Sequence, residues 1–133
     1  SKYIDKAYQD ISLKYKGIVD EKGERVYSDP VIDKLTYAAS KIFDYDIRIP
    51  SLNNKLITAG VNTADLFNDV LLNGTPTNEA VEKALTEITS KGSVNEDELT
   101  QDLFELVEMG MKRKKFIDEY KEIKENPSNF TPA

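Results

Sequence analysis

Residues 96–125 contain no proline and a single glycine, and start and stop signals stand at the two ends. Asn95 occupies an N-cap position, and Glu98 at N3 supplies the acidic half of a capping box. Val94 and Leu99 have the N′ and N4 spacing of a hydrophobic staple. Asn126-Pro127 ends the run, because proline lacks the N–H that a helix interior needs. Between these limits Leu99, Leu103, Leu106 with Val107, Gly110, Ile117 and Tyr120 follow helical spacing. The pattern predicts one long C-terminal helix from Glu96 to about Glu125 with a single apolar line.

The other segments repeat that period. Ile4, Ala7, Tyr8, Ile11 and Tyr15 draw one stripe over 3–16, closed by Gly17 with Ile18 packing back. Asp29 and Pro30 start a second helix carrying Val31 and Ile32, Leu35, Ala38 and Ala39, and Ile42 and Phe43. Tyr45, Ile47 and Ile49 then alternate, and Pro50 biases Ile49 to an extended backbone, so 44–50 is expected as an extended connector. Ser51 caps a third helix with Leu52, Leu56 and Ile57, interrupted by Gly60. Asn62 or Thr63 caps a fourth with Ala64, Phe67, Val70 and Leu71, ended by Gly74. Thr75-Pro76 starts another with Ala80, Val81, Ala84, Leu85 and Ile88, and Gly92 lies beyond it. Only 18–27 differs: Ile18-Val19 and Val26-Tyr27 flank a turn-forming run, which fits a short hairpin or a loop. The expectation is a single all-α domain over 1–133, globin-like or an irregular bundle. Five to six helices would cover roughly 70% of it, about double the base rate. Residues 126–133 are expected as a loose tail.

Composition narrows function by exclusion. The 133 residues include no Cys and no His, which removes thiol nucleophiles, thiolate metal sites, the commonest general base and the usual haem ligand. The net charge of −6 disfavours nucleic acid and anionic membranes as partners. No apolar run reaches the ~20 residues of a membrane helix. The opening Ser1-Lys2-Tyr3-Ile4-Asp5 lacks the apolar region of a signal peptide, so a cytoplasmic location is expected.

Several constellations call for a choice of reading. Residues 55–67, a helix, an Ala-Gly-Val-Asn turn and a helix, resemble the helix-turn-helix of bacterial repressors. The second helix, however, carries Asp65 and Asp69 and no base, and phosphates repel carboxylates, so the reading is an αα-corner. Asp44 and Asp46 imitate the first ligands of a calcium loop, but Arg48 and Ile49 stand where that loop needs an acid or amide and a glycine. Arg48, one of three arginines, is set between Ile47 and Ile49. It reads either as a carboxylate partner at the mouth of an apolar cavity or as a surface arginine with its stem over the core. The last helix holds six acids and no base from Glu96 to Glu108, followed by Lys112-Arg113-Lys114-Lys115. That is a solvated face with i,i+4 pairs (Glu108 with Lys112, Lys115 with Glu119), or a bipolar surface for a partner such as a second copy. Gly110, flanked by Met109 and Met111, marks a close approach to bare backbone, by a helix or by a ligand. No spacing demands an acid/base pair, a phosphate loop or a metal cluster, so a non-enzyme without cofactor or metal is expected.

The chain's length, about six helices, long C-terminal helix and missing histidine resemble the non-haem globin-like sensor domains of bacterial stress and sporulation regulation. The resemblance is one of layout over the whole chain. It implies a globin-like fold without haem, an apolar tunnel for a fatty-acid-like molecule, an anion site and dimerisation through C-terminal helices. A free-standing copy would then compete for the signal or partner of a larger sensor. On this reading Phe43, Tyr45, Phe67, Leu71, Phe104 and Val107 line the ligand cavity, with Arg48 for a carboxylate. Gly110, Met111, Ile117 and Tyr120 form the homodimer interface. The other class is an interaction protein without small ligand, such as an assembly chaperone, immunity protein or inhibitor, supported by the acidic half of the last helix.

Overall fold

In the computed structural model, residues 22, 29–92 and 94–130 are described. The helix expected over 3–16 and the segment 18–27, Lys22 in a turn excepted, lie outside them. Among the described residues there are four α-helices, α1 (Asp29–Thr58), α2 (Ala64–Asn73), α3 (Asn78–Ser90) and α4 (Glu96–Glu125), and a 3-10 turn, Pro127–Phe130. The all-α expectation holds, with four helices among the described residues where five to six were expected over the whole chain.

The connector expected over 44–50 is helix. α1 runs 30 residues through Pro50, merging the second and third predicted helices. A proline inside a helix forfeits one backbone bond and costs ~3 kcal/mol relative to alanine. Burial offsets it: Ile49 and Leu56 are fully enclosed and Asn53 nearly so, a line at i, i+4 and i+7. The alternation of Tyr45, Ile47 and Ile49 is a by-product of that helix, and Ile47 faces solvent.

The chain divides into two compact units. In one, residues 29–46 of α1 pack Val31, Leu35, Ala38, Ala39 and Ile42 against Ile117, Tyr120 and Ile123 of α4, with Phe43, Phe116 and Phe130 at the margin. Phe130 belongs to the 3-10 turn, which falls within the segment expected as a loose tail.

The other unit, Ile47–Lys114, holds the end of α1, all of α2 and α3, and the first part of α4. Gly60, at φ 88°, makes the corner between α1 and α2. Gly74, at φ 76°, ends α2 and donates its N–H to Val70 O. α3 starts two residues later than Thr75-Pro76 suggests: Thr77 is extended and its Oγ1 accepts from Ala80 N. At α4, Leu99 N–H donates to Asn95 O, as the N-cap reading requires. The staple does not form, because Val94 is fully exposed.

α2 and α4 approach closely where Gly110 and Gly74 carry no side chain of their own. A β-carbon on Gly110 would stand 2.4 Å from Val70 Cγ1 and 3.3 Å from Gly74 O. One on Gly74 would stand 2.4 Å from Lys114 Cβ. Helix packing within the chain therefore accounts for Gly110. The same seam takes Arg113, which is 4% exposed, out of the expected solvated run. Its Nη1 donates to Leu71 O in the last turn of α2, where the helix dipole favours a cation.

Candidate functional site

Within the 47–114 unit, charge is concentrated along the α1–α4 contact. Lys55 Nζ lies 2.9 Å from Glu98 Oε1 and 2.8 Å from Asp102 Oδ2. Asp102 first and Glu98 second hold the Lys55 ammonium well above the usual lysine range. Arg48 Nη2 stands 3.9 Å from Glu105 Oε1, with both side chains about half exposed. Arg48 and Lys55 thus face acids of their own chain, over a groove of about 330 Å³ floored by Ile47, Leu52 and Met109.

A second depression, about 500 Å³, lies at the αα-corner. Ile57, Val61, Ala64 and Phe67 supply its apolar wall, and Asn53, Asn62, Thr63 and Asn68 its polar groups. Thr63 is buried and its hydroxyl donates to Asn53 Oδ1, so it does not cap α2. Asn62 does part of that work: its Oδ1 accepts from Ala64 N at 3.1 Å, and its own N–H donates to Glu87 Oε2 at 2.6 Å. The acids that argued against DNA have structural partners on the α3 side. Asp65 lies 3.5 Å from Lys83 Nζ, and Asp69 Oδ2 accepts from Thr77 N.

The residues expected around a ligand are dispersed. Phe43 flanks the core of the first unit, where Tyr45 stacks on Phe116 at 6.2 Å. In the second unit Arg48 edges the α1–α4 groove, Phe67 lines the corner depression and Leu71 offers its carbonyl to Arg113. Phe104 is 52% exposed and Val107 half-buried. Of the residues expected at an interface, Gly110, Ile117 and Tyr120 are buried inside the chain, and Met111 is 53% exposed. Sequence reasoning missed Asn53 and Thr63. A signal existed for Asn53, a polar residue on the line of Ile49 and Leu56, but the assumed break at Pro50 hid the line.

No helix among the described residues is long and apolar enough to cross a membrane. Comparison with family models, curated proteins and solved structures finds no match.

Proposed function

We propose that the chain is a non-catalytic regulatory domain that works by docking a protein partner on the outer face of α4. One observation carries this reading. The inner face of α4 is spent on Leu99, Leu103, Leu106 and Gly110, yet Phe104 and Met111, two turns apart, remain half exposed with Val107 between them at its margin. Scattered exposed apolar side chains are common, but an i, i+3, i+7 stripe on one helix is the form that recognises an amphipathic partner helix. Exposed Asp97 and Glu108 flank the stripe, Glu108 already paired with Lys112 at 2.8 Å, so a partner helix bearing Lys or Arg beside its apolar face fits best at the Asp97 end.

The test is site-specific photo-crosslinking in the native cell, with the reactive group at 104 or 111 and at exposed Glu82 of α3 as control. The reading expects one basic partner captured from 104 and 111, absent from 82, and lost with Met111→Glu when capturing from 104. Equal capture from all three positions overturns it. A cross-linked second copy of the chain replaces the heterologous partner with a homodimer.

The sensor reading, an apolar ligand held without haem, has its own support in the size of the corner depression, which falls in the range of small-molecule pockets.

A further inference from the structure

The corner depression combines features that no packing role uses up. Asn53 is 6% exposed, and its one side-chain hydrogen bond among the described residues engages Oδ1, which accepts from Thr63. The Nδ2 group is left without a partner there, on a side chain that lines the depression. Because the Thr63 hydroxyl is committed to Asn53, it does not cap α2, and Asn62 Oδ1 reaches only the first amide, Ala64 N–H. The second and third amides of α2, Asp65 N–H and Leu66 N–H, have no acceptor among the described residues, and such groups attract negative charge. Lys91 brings a cation to the rim: its Nζ lies 3.1 Å from where a β-carbon on Gly60 would stand. Of the carboxylates near the start of α2, Asp65 is drawn toward Lys83 of α3 and Glu87 is held by Asn62 N–H, and neither lines the depression. The walls beneath these donors are Ile57, Val61 and Phe67.

We infer that this depression is a binding site for a small monocarboxylic acid with an apolar body. The carboxylate receives hydrogen bonds from Asn53 Nδ2 and the open amides of α2, with the Lys91 ammonium nearby. The hydrocarbon lies on Ile57, Val61 and Phe67. The Asn53 and Thr63 pair makes the site: one side chain is aimed by the other, and the same bond uncaps the helix. The inference rests on the sensor reading and gives it a site away from Arg48; it is independent of the docking face on α4, so the two fail separately.

Hexanoate is the probe, with hexan-1-ol as its uncharged counterpart, each titrated into the full chain at constant ionic strength and followed by amide NMR. Hexanoate is expected to move Asp65 N–H, Leu66 N–H and the Asn53 side-chain amide, and to bind about tenfold more tightly than the alcohol. Lys91→Met, at an exposed rim position, is expected to weaken hexanoate several-fold and leave hexan-1-ol unchanged. Ile57→Glu, also exposed, should abolish hexanoate binding while preserving the spectrum of the folded protein. Asn53→Asp keeps an acceptor for Thr63 and removes the donor, and should abolish binding as well; if it unfolds, the two exposed variants carry the test. Absence of shifts, equal binding of acid and alcohol, indifference to Lys91→Met, or shifts confined to Ile47 and Leu52 in the Arg48 groove would each overturn the assignment.

Discussion

Gly110→Ala distinguishes packing from helix propensity by the sign of its effect. In an exposed helix interior the exchange stabilises by ~1 kcal/mol. Here the added methyl would meet Val70 Cγ1 at 2.4 Å and Gly74 O at 3.3 Å. Val70 is fully buried and has nowhere to retreat. Overpacking of this kind costs ~1–3 kcal/mol, so the expected net is a loss of ~1–2 kcal/mol. Val70→Ala alone removes two buried carbons and should cost ~2 kcal/mol. If steric conflict is the cause, the double variant costs no more than Val70→Ala, well short of the ~3–4 kcal/mol of simple addition. Urea unfolding of the four proteins, read as midpoint shifts at constant slope, gives the coupling directly. A Gly110→Ala protein more stable than the parent would refute the close approach of α2 and α4.

Pro50→Ala restores an amide inside α1 and is expected to stabilise by ~1–2 kcal/mol, after allowance for the looser unfolded chain; an unchanged melting temperature would deny a helix through residue 50. Arg113→Met should cost ~2 kcal/mol by leaving Leu71 O short of its charged donor, and Arg113→Lys should not restore it, as denaturant midpoints will show. Tyr120 is buried with no hydrogen-bond partner for its hydroxyl among the described residues, so Tyr120→Phe is expected to be neutral or to stabilise by up to ~1 kcal/mol; a clear loss by calorimetry would reveal a partner. Lys112 holds the Glu108 carboxyl below its ordinary range. A lowered folded value means its small contribution is present above that range and is lost as pH falls through the folded value. Melting temperatures from about pH 5 to 3 should therefore decline slightly less steeply in Lys112→Met than in the parent.

What could be read from the sequence divides along physical lines. Both limits of α4 were legible because Asn95 and Asn126-Pro127 act locally. Gly74 and Gly92 likewise mark the ends of α2 and α3, at φ 76° and 57°. The course of α1 was not legible: Ile49-Pro50 states a local preference against helix, and only the burial of Ile49, Asn53 and Leu56 outweighs it. The Val94 staple failed for a similar reason, since spacing permits the contact without supplying a reason to close it. Glu98, matched to a capping role, reaches Lys55. Of the candidate site, Phe67 and Arg48 were picked for their chemistry. Asn53 and Thr63 were not, because a side chain that aims another ten residues away leaves no periodic trace.

Arg48 and Arg113 give the protein an internal reporter of its own opening. One guanidinium is half open to solvent and the other is sealed in a seam. An arginine-selective dicarbonyl reagent should label Arg48 in the native state and reach Arg113 only in molecules that have come apart there. The ratio of the two labelling rates, read by peptide mass mapping, then measures how often that seam breathes, with no dye or engineered tag.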